Sequence, residues 1–161
     1  MLHSNSSLSF KEIVSKMEYY CSYQERCHAD VAQKLREFSL SNDEKEELIV
    51  SLLQNNYLNE ERFALLFSVS KFHQKKWGKL RIKNELKARQ ISDFLIQKAL
   101  KEINSDEYDA TFDLLAEHQW EQIREPNPLK KKKKFCDYLL RKGWETDRIL
   151  EKVTELERLS Q

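Results

Sequence analysis

The sequence predicts an all-α protein arranged as an elongated tandem array of three three-helix units, helix-turn-helix-like repeats, and three observations carry that expectation. The first is scarce punctuation. The 161 residues contain two glycines, Gly78 and Gly143, and two prolines, Pro126 and Pro128, where average usage would give roughly twenty. Too few turn-formers remain for the many tight turns of an all-β fold. The second is composition: 34% charged and 40% apolar residues with mean hydropathy −0.76 would fit disorder, but a net charge of +1 and 11% aromatics fit a folded chain with small cores. The third is an internal repeat.

In the first unit a helix runs from Phe10 to about Tyr23, and Val31, Leu35 and Leu40 follow, then Leu48 and Ile49. In the second, a helix from Asn59 to about Lys75 precedes Ile82, Leu86 and Ile91, then Ala99 and Leu100. In the third, a helix from Asp106 to about Ile123 precedes Phe135, Leu139 and Trp144, then Lys152 and Val153. Each unit places two apolar residues four apart on one helix face, a third five later across a break, and two more eight and nine beyond. Lys152 spoils one apolar place. Ser41, Ser92, and Glu145 with Thr146, stand where an N-cap would satisfy the orphan N–H groups of each unit's last helix. Leu35 to Leu86 is 51 residues and Leu86 to Leu139 is 53. The expected units are 1–55, including an N-terminal extension, 56–104 and 105–161. About fifty residues bury little core alone, so neighbouring units should stack. A single globular bundle is the rival arrangement.

The longest uncharged apolar stretch, Phe63 to Ser70, is far short of the roughly 20 residues a bilayer span needs, so a cytoplasmic protein with no membrane contact is expected. Cys21, Cys27 and Cys136 cannot all pair and include no CxxC, which leaves reduced thiols. No glycine-rich phosphate loop is present. His3, His28, His73 and His118 lack metal-ligand spacing, and Glu46 with Glu47 or Glu60 with Glu61 point apart on a helix. The expectation is a protein without enzymatic activity, cofactor or metal.

Charge is segregated along the chain. Lys71, Lys75, Lys76, Lys79, Arg81, Lys83, Lys87 and Arg89 face one acid, Glu85, in their stretch; Lys130, Lys131, Lys132, Lys133, Lys134, Arg141 and Lys142 face Asp137 alone. Fifteen of the 28 basic residues thus share 32 positions with two acids, leaving a balance of −12 for the rest of the chain. Both clusters open the second helix of a unit, where positive charge opposes the helix dipole by a few tenths of a kcal/mol per residue. That placement points to a surface for phosphates or acidic protein, with Trp77 as a stacking or interface anchor. The plainer reading is a solvated helix face with Trp77 in the core.

These residues also carry a family resemblance. Tyr57, Leu58, Asn59, Glu60, Glu61, Arg62, Phe63 and Ala64 resemble the aromatic-Leu-Asp/Asn-acid-acid-Arg-Phe-Ala run of the RecX family, bacterial regulators of the RecA recombinase. Lys76, Trp77, Gly78, Lys79, Leu80, Arg81, Ile82, Lys83, Asn84, Glu85 and Leu86 are similar to its second motif. Phe135, Leu139, Arg141, Gly143 and Trp144 are similar to the ending of its third unit. The resemblance covers about Arg26 to Val153. It departs at Ala29, where Ser is usual and Asp30 is left to cap the helix, and at Gln90, where many members have Gly, so a reshaped turn is expected.

The resemblance implies a tandem three-helix, non-enzymatic protein that lies along the groove of the RecA filament on DNA and restrains recombinase and ATPase activity. RecA in its filament is then the partner, with single- or double-stranded DNA reached through it, and the protein a monomer. Lys76, Trp77, Lys79, Arg81, Lys83, Lys87 and Arg89, then Lys130, Lys131, Lys132, Lys133 and Lys134, are the expected contact surface. Arg62 is expected to be structural, tied to neighbours of Glu60 or Glu61. The competing reading is a DNA-binding module, since Gly78 to Ile103 reads as two helices joined by a short turn. Asp93 and Glu102 on the second of those helices argue against base readout.

Overall fold

A computed structural model describes residues 8–161. Among the described residues the order is α1 (Phe10–Tyr23), α2 (His28–Leu35), α3 (Asn42–Gln54), α4 (Glu60–Lys75), α5 (Lys79–Ala88), α6 (Asp93–Leu100), α7 (Ser105–Gln122), α8 (Pro128–Lys142) and α9 (Thr146–Leu159), with no strand. The helix starts follow local chemistry. Ser9 and Ser41 form capping boxes with Glu12 and Glu44; Asn59, Ser92, Asn104 and Asn127 cap α4, α6, α7 and α8. Glu145 precedes α9 without a side-chain cap. Cys27 occupies the N-cap of α2, and the Asp30 carboxylate accepts its N–H at 3.1 Å, so Asp30 caps from inside the first turn.

The repeat positions are the buried ones. Val31, Leu35, Ile82, Leu86, Ile91, Phe135, Leu139 and Trp144 are all buried, as are Leu48, Ala99, Leu100 and Val153. Leu40 and Ile49 are half-buried. The break in the second unit is not reshaped. Gln90 takes φ 63°, the left-handed conformation that Gly143 takes with φ 94°, and in both turns the apolar residue that follows donates its N–H to the carbonyl five residues back (Ile91 to Leu86 and Trp144 to Leu139, each 3.1 Å). Gln90 therefore keeps the glycine geometry and bears the steric cost of its Cβ.

Lys152 does not spoil its position. Its stem is buried, and its ammonium reaches Glu117 at 2.7 Å and Asp113 and Glu155 at 3.5 Å, pinning α9 to α7. Burial alone would lower its pKa, but the Glu117 hydrogen bond and the three carboxylates outweigh it and raise the value.

The stacking is uneven. Ile13, Met17, Val31, Leu35, Leu48 and Leu52 belong to a core confined to α1–α3 and their flanks. A larger core runs through α4–α9 around Phe72, Tyr108, Phe112 and Trp144. Cys27 and Ala29, at the start of α2, pack against that second core. Polar contacts tie the same joint: Arg62 donates to Glu25 at 2.6 Å, and Glu60 accepts the His28 N–H at 3.0 Å. Arg62 is structural as expected, but its partner is Glu25 rather than a neighbour of Glu60 or Glu61.

Candidate basic interaction surface

The two glycines of the chain lie against each other. Gly78 ends the loop before α5, and Gly143 ends α8; the Gly78 N–H donates to Lys142 O at 2.8 Å and the Leu80 N–H to Gly143 O at 3.1 Å. A Cβ on Gly78 would overlap the Gly143 carbonyl, and one on Gly143 would overlap the backbone and Cβ of Arg81. Helix starts leave N–H groups without intrahelical partners and helix ends leave carbonyls. Here the start of α5 meets the end of α8, and the remaining Lys79 N–H donates to the Tyr108 hydroxyl at 2.8 Å.

Tyr108 sits behind this joint. Its hydroxyl also donates to Glu145 at 2.9 Å, and its ring packs 4.5 Å from that of fully buried Trp144. Burial, then the Glu145 carboxylate, pushes the phenol well above its ordinary pKa, so it remains a neutral donor. Trp144 in turn donates Nε1 to Lys76 O at 3.1 Å, closing the end of α4.

The ends of α4 and α8 thus converge on the start of α5, and each brings cations. Lys142 Nζ donates to Lys75 O at 2.8 Å, and Arg81 Nη1 to Arg141 O at 3.2 Å. Arg81, in the first turn of α5, is thus seated against a carbonyl at the C-terminus of α8, and Lys142 against one at the C-terminus of α4, where the dipole favours cations. The electrostatic cost expected from the sequence is offset by this meeting of helix ends. Lys75, Lys76, Arg81, Arg141 and Lys142 form no ion pair with a carboxylate among the described residues. Burial first, then the charges of Arg81 and Lys75, lower the pKa of Lys142, the mark of cations held close together.

The other expected contact residues divide. On α5 a turn of 100° per residue puts Lys79, Lys83 and Lys87 on one side of buried Ile82 and Leu86, and Arg81 on the other. Lys79 Nζ lies 4.9 Å from the Tyr108 ring centre, Lys87 is 3.9 Å from Asp93, and Lys83 makes no ion pair among the described residues. On the other side Trp77 is half-buried, edge-on to Phe67 at 6.2 Å, with Arg81 at 4.1 Å and Lys71 at 5.3 Å over its ring. Arg89 stacks on Phe67 at 4.8 Å and pairs with Glu85 at 3.3 Å. Trp77 joins core and surface, packing inward while presenting a cation-covered face.

The lysine run at the start of α8 is differently placed and differently partnered. Lys132 pairs with Glu157 (3.8 Å), Lys133 with Asp137 (2.7 Å) and Lys134 with Glu125 (3.1 Å). Lys131 stacks over Trp120 at 4.1 Å, and Lys130 stays exposed. The Asn127 N–H and then Lys134 hold the Glu125 carboxyl below its usual range. Lys130 and Lys142 are twelve residues apart on one helix, about 18 Å along its axis. The structure brings the first cluster together with the end of the second, Arg141 and Lys142, and not with its start. Arg141, Lys142 and Lys75 are missing from the contact set read from sequence; the signal for them is that each of the two glycines is preceded within three residues by two basic residues.

This arrangement can attract a polyanion. Among the described residues no cluster of three or more His, Cys, Asp or Glu could hold a metal ion, and no helix is long and apolar enough to cross a membrane.

The fold and this surface define a tandem helical-repeat protein with a basic joint between helix triplets. Comparison with known proteins narrows that class. Residues 59–100 match the family model "RecX, second three-helix domain". The regulatory protein RecX of Bacillus cereus strain AH820 is 26% identical over 130 residues, which is 81% of this chain and 48% of that protein; RecX of Bacillus thuringiensis subsp. konkukian gives the same figures. The chain spans about half the length of these curated relatives. The crystal structure of RecX from Lactobacillus salivarius superposes with a TM-score of 0.78 at 24% identity, covering 92% of this chain and 96% of that one. A second crystal structure of regulatory protein RecX gives 0.78 at 20% identity, covering 96% and 83%. Sequence and fold together make this chain similar to the RecX regulatory proteins, most directly over residues 59–100.

Proposed function

We propose that this protein is a non-catalytic regulator that binds the filament RecA forms on DNA and inhibits its recombinase and ATPase activities. The observation that carries the reading is the cluster of Lys75, Lys76, Arg81, Arg141 and Lys142, which is without carboxylate partners among the described residues and sits at a joint between successive helix triplets. An elongated rod with such a joint can lie against acidic protein and DNA phosphates together, bridging neighbouring RecA subunits and impeding their rearrangement. In this reading that cluster makes the principal contacts, together with Trp77, Lys79, Lys83, Lys87 and Arg89. Lys130, Lys131, Lys132, Lys133 and Lys134 contribute at a distance. Units 1–55, 56–104 and 105–161 act as one monomeric, cytoplasmic rod, and DNA is met through the filament.

A titration into RecA turning over ATP on single-stranded DNA, at two salt concentrations, tests the proposal. ATPase activity is expected to fall as protein is added, with weaker inhibition at higher salt because polyanion contacts release counterions. Undiminished turnover at saturation overturns it. Tight, sequence-selective binding to free duplex would instead favour a helix-turn-helix reading of α5 and α6.

A further inference from the structure

A second surface lies at the far end of the rod, on the core that α1–α3 keep to themselves. A cleft of about 650 Å³ is lined by Lys16, Tyr19, Tyr20, Tyr23, Arg26 and Lys34, with Phe38 and one acid, Glu37, in its wall. Tyr19 and Tyr23 are four residues apart on α1, 71% and 73% exposed, with ring centres 6.4 Å apart. Two neighbouring phenol rings turned to solvent add nothing to the core. Cations share the cleft with these rings. Arg26 lies over the neighbouring Tyr20 ring at 3.8 Å, its Nε donating to Tyr20 O, and Lys34 is 5.6 Å from the same ring.

The acid in the cleft wall, Glu37, pairs with Lys34 at 3.0 Å, and Asp30 accepts the Cys27 N–H. Lys16 and Arg26 form no ion pair among the described residues. Exposed aromatic faces beside cations on one groove are the chemistry of single-strand binding: bases stack on the rings while the cations follow the phosphates. A duplex hides its base faces and cannot use the rings.

We propose that the cleft between α1 and α2 binds single-stranded nucleic acid, with Tyr19 and Tyr23 as stacking platforms and Lys16 and Arg26 on the backbone. This surface is separate from the joint at Gly78 and Gly143, and its test needs no RecA. The full chain is titrated into a fluorescent oligothymidylate of about 12 nucleotides and into a duplex of equal length. Binding to the single strand is expected. The double variant Tyr19→Ala/Tyr23→Ala should weaken it by tenfold or more, the loss typical of one or two stacked bases. Tyr19→Phe/Tyr23→Phe should retain affinity, because the rings persist; both pairs are exposed, so circular dichroism and melting temperature should match the parent.

Lys16→Gln should lower the log–log salt slope by about 0.7, one phosphate contact on a single strand. Unchanged affinity in the alanine pair overturns the proposal, as does equal preference for duplex, or capture of a neutral proline-rich peptide in place of the oligonucleotide. Loss of oligonucleotide binding only in Arg141→Glu, with the tyrosine pair silent, would also overturn it and assign strand binding to the joint.

Discussion

The two basic clusters look alike as strings of residues and differ as surfaces. Lys130–Lys134 is the denser run, yet three of its five ammonium groups meet Glu125, Asp137 and Glu157, and a fourth covers Trp120. The joint gathers its cations from three helices, and none of Lys75, Lys76, Arg81, Arg141 and Lys142 has a carboxylate partner among the described residues. Local charge density along a chain says little about the field at a surface; what matters is which helix ends meet and whether acids reach them. At the joint Arg81 and Lys142 are held by backbone carbonyls, which fix them without cancelling their charge.

The contrast can be broken outright by separating the helices that make the joint. Gly143→Val places a branched side chain at φ 94° and into the Arg81 backbone, and should cost at least about 3 kcal/mol, read as a lowered urea midpoint with loss of RecA inhibition. An equally bulky change on the lysine run, Lys133→Val, should move the midpoint little, since that side chain is exposed and its i,i+4 pair with Asp137 is a surface one.

Charge changes sharpen the comparison without unfolding it. Lys75→Glu/Arg141→Glu, both exposed positions, should weaken inhibition of RecA by about tenfold or more at low salt. Two further substitutions test how the helices are seated, with smaller effects. Lys152→Met should change stability by no more than about 1 kcal/mol, because Asp113, Glu117 and Glu155 are about half exposed and rehydrate. Gln90→Gly should stabilise by about 0.5 kcal/mol, relief of left-handed strain exceeding the added chain entropy; both are read by thermal or urea melts.

Much of the fold was legible in the chain because it is written in short range. The 4-5-8-9 spacing of apolar residues is a helical period interrupted by one turn, and the Ser, Asn and Asp caps act within three residues. The element bounds of α1, α4 and α7 follow from such local signals. The site was legible only in part. Its residue types and its basic runs are apparent, but the contacts that decide their use span the chain: Lys142 to Lys75 over 67 residues, Arg81 to Arg141 over 60, Tyr108 to Glu145 over 37. No periodicity encodes which helix end will face which. Lys152 is a clear case, reading as a polar intrusion until α7 supplies Asp113 and Glu117. Gln90 is another, where a residue ill-suited to its φ keeps the turn because Ile91 is buried beyond it.

The most direct test of the central claim compares two neutralised proteins in one assay, RecA ATPase on single-stranded DNA at low and moderate salt. One carries Lys75→Gln, Lys76→Gln and Arg141→Gln; the other carries Lys130→Gln, Lys132→Gln and Lys133→Gln, the same change in net charge. The joint variant should lose inhibition by about tenfold and much of its salt dependence, while the lysine-run variant stays within about threefold of the parent. Equal losses in the two, or a larger loss in the lysine-run variant, would contradict the account.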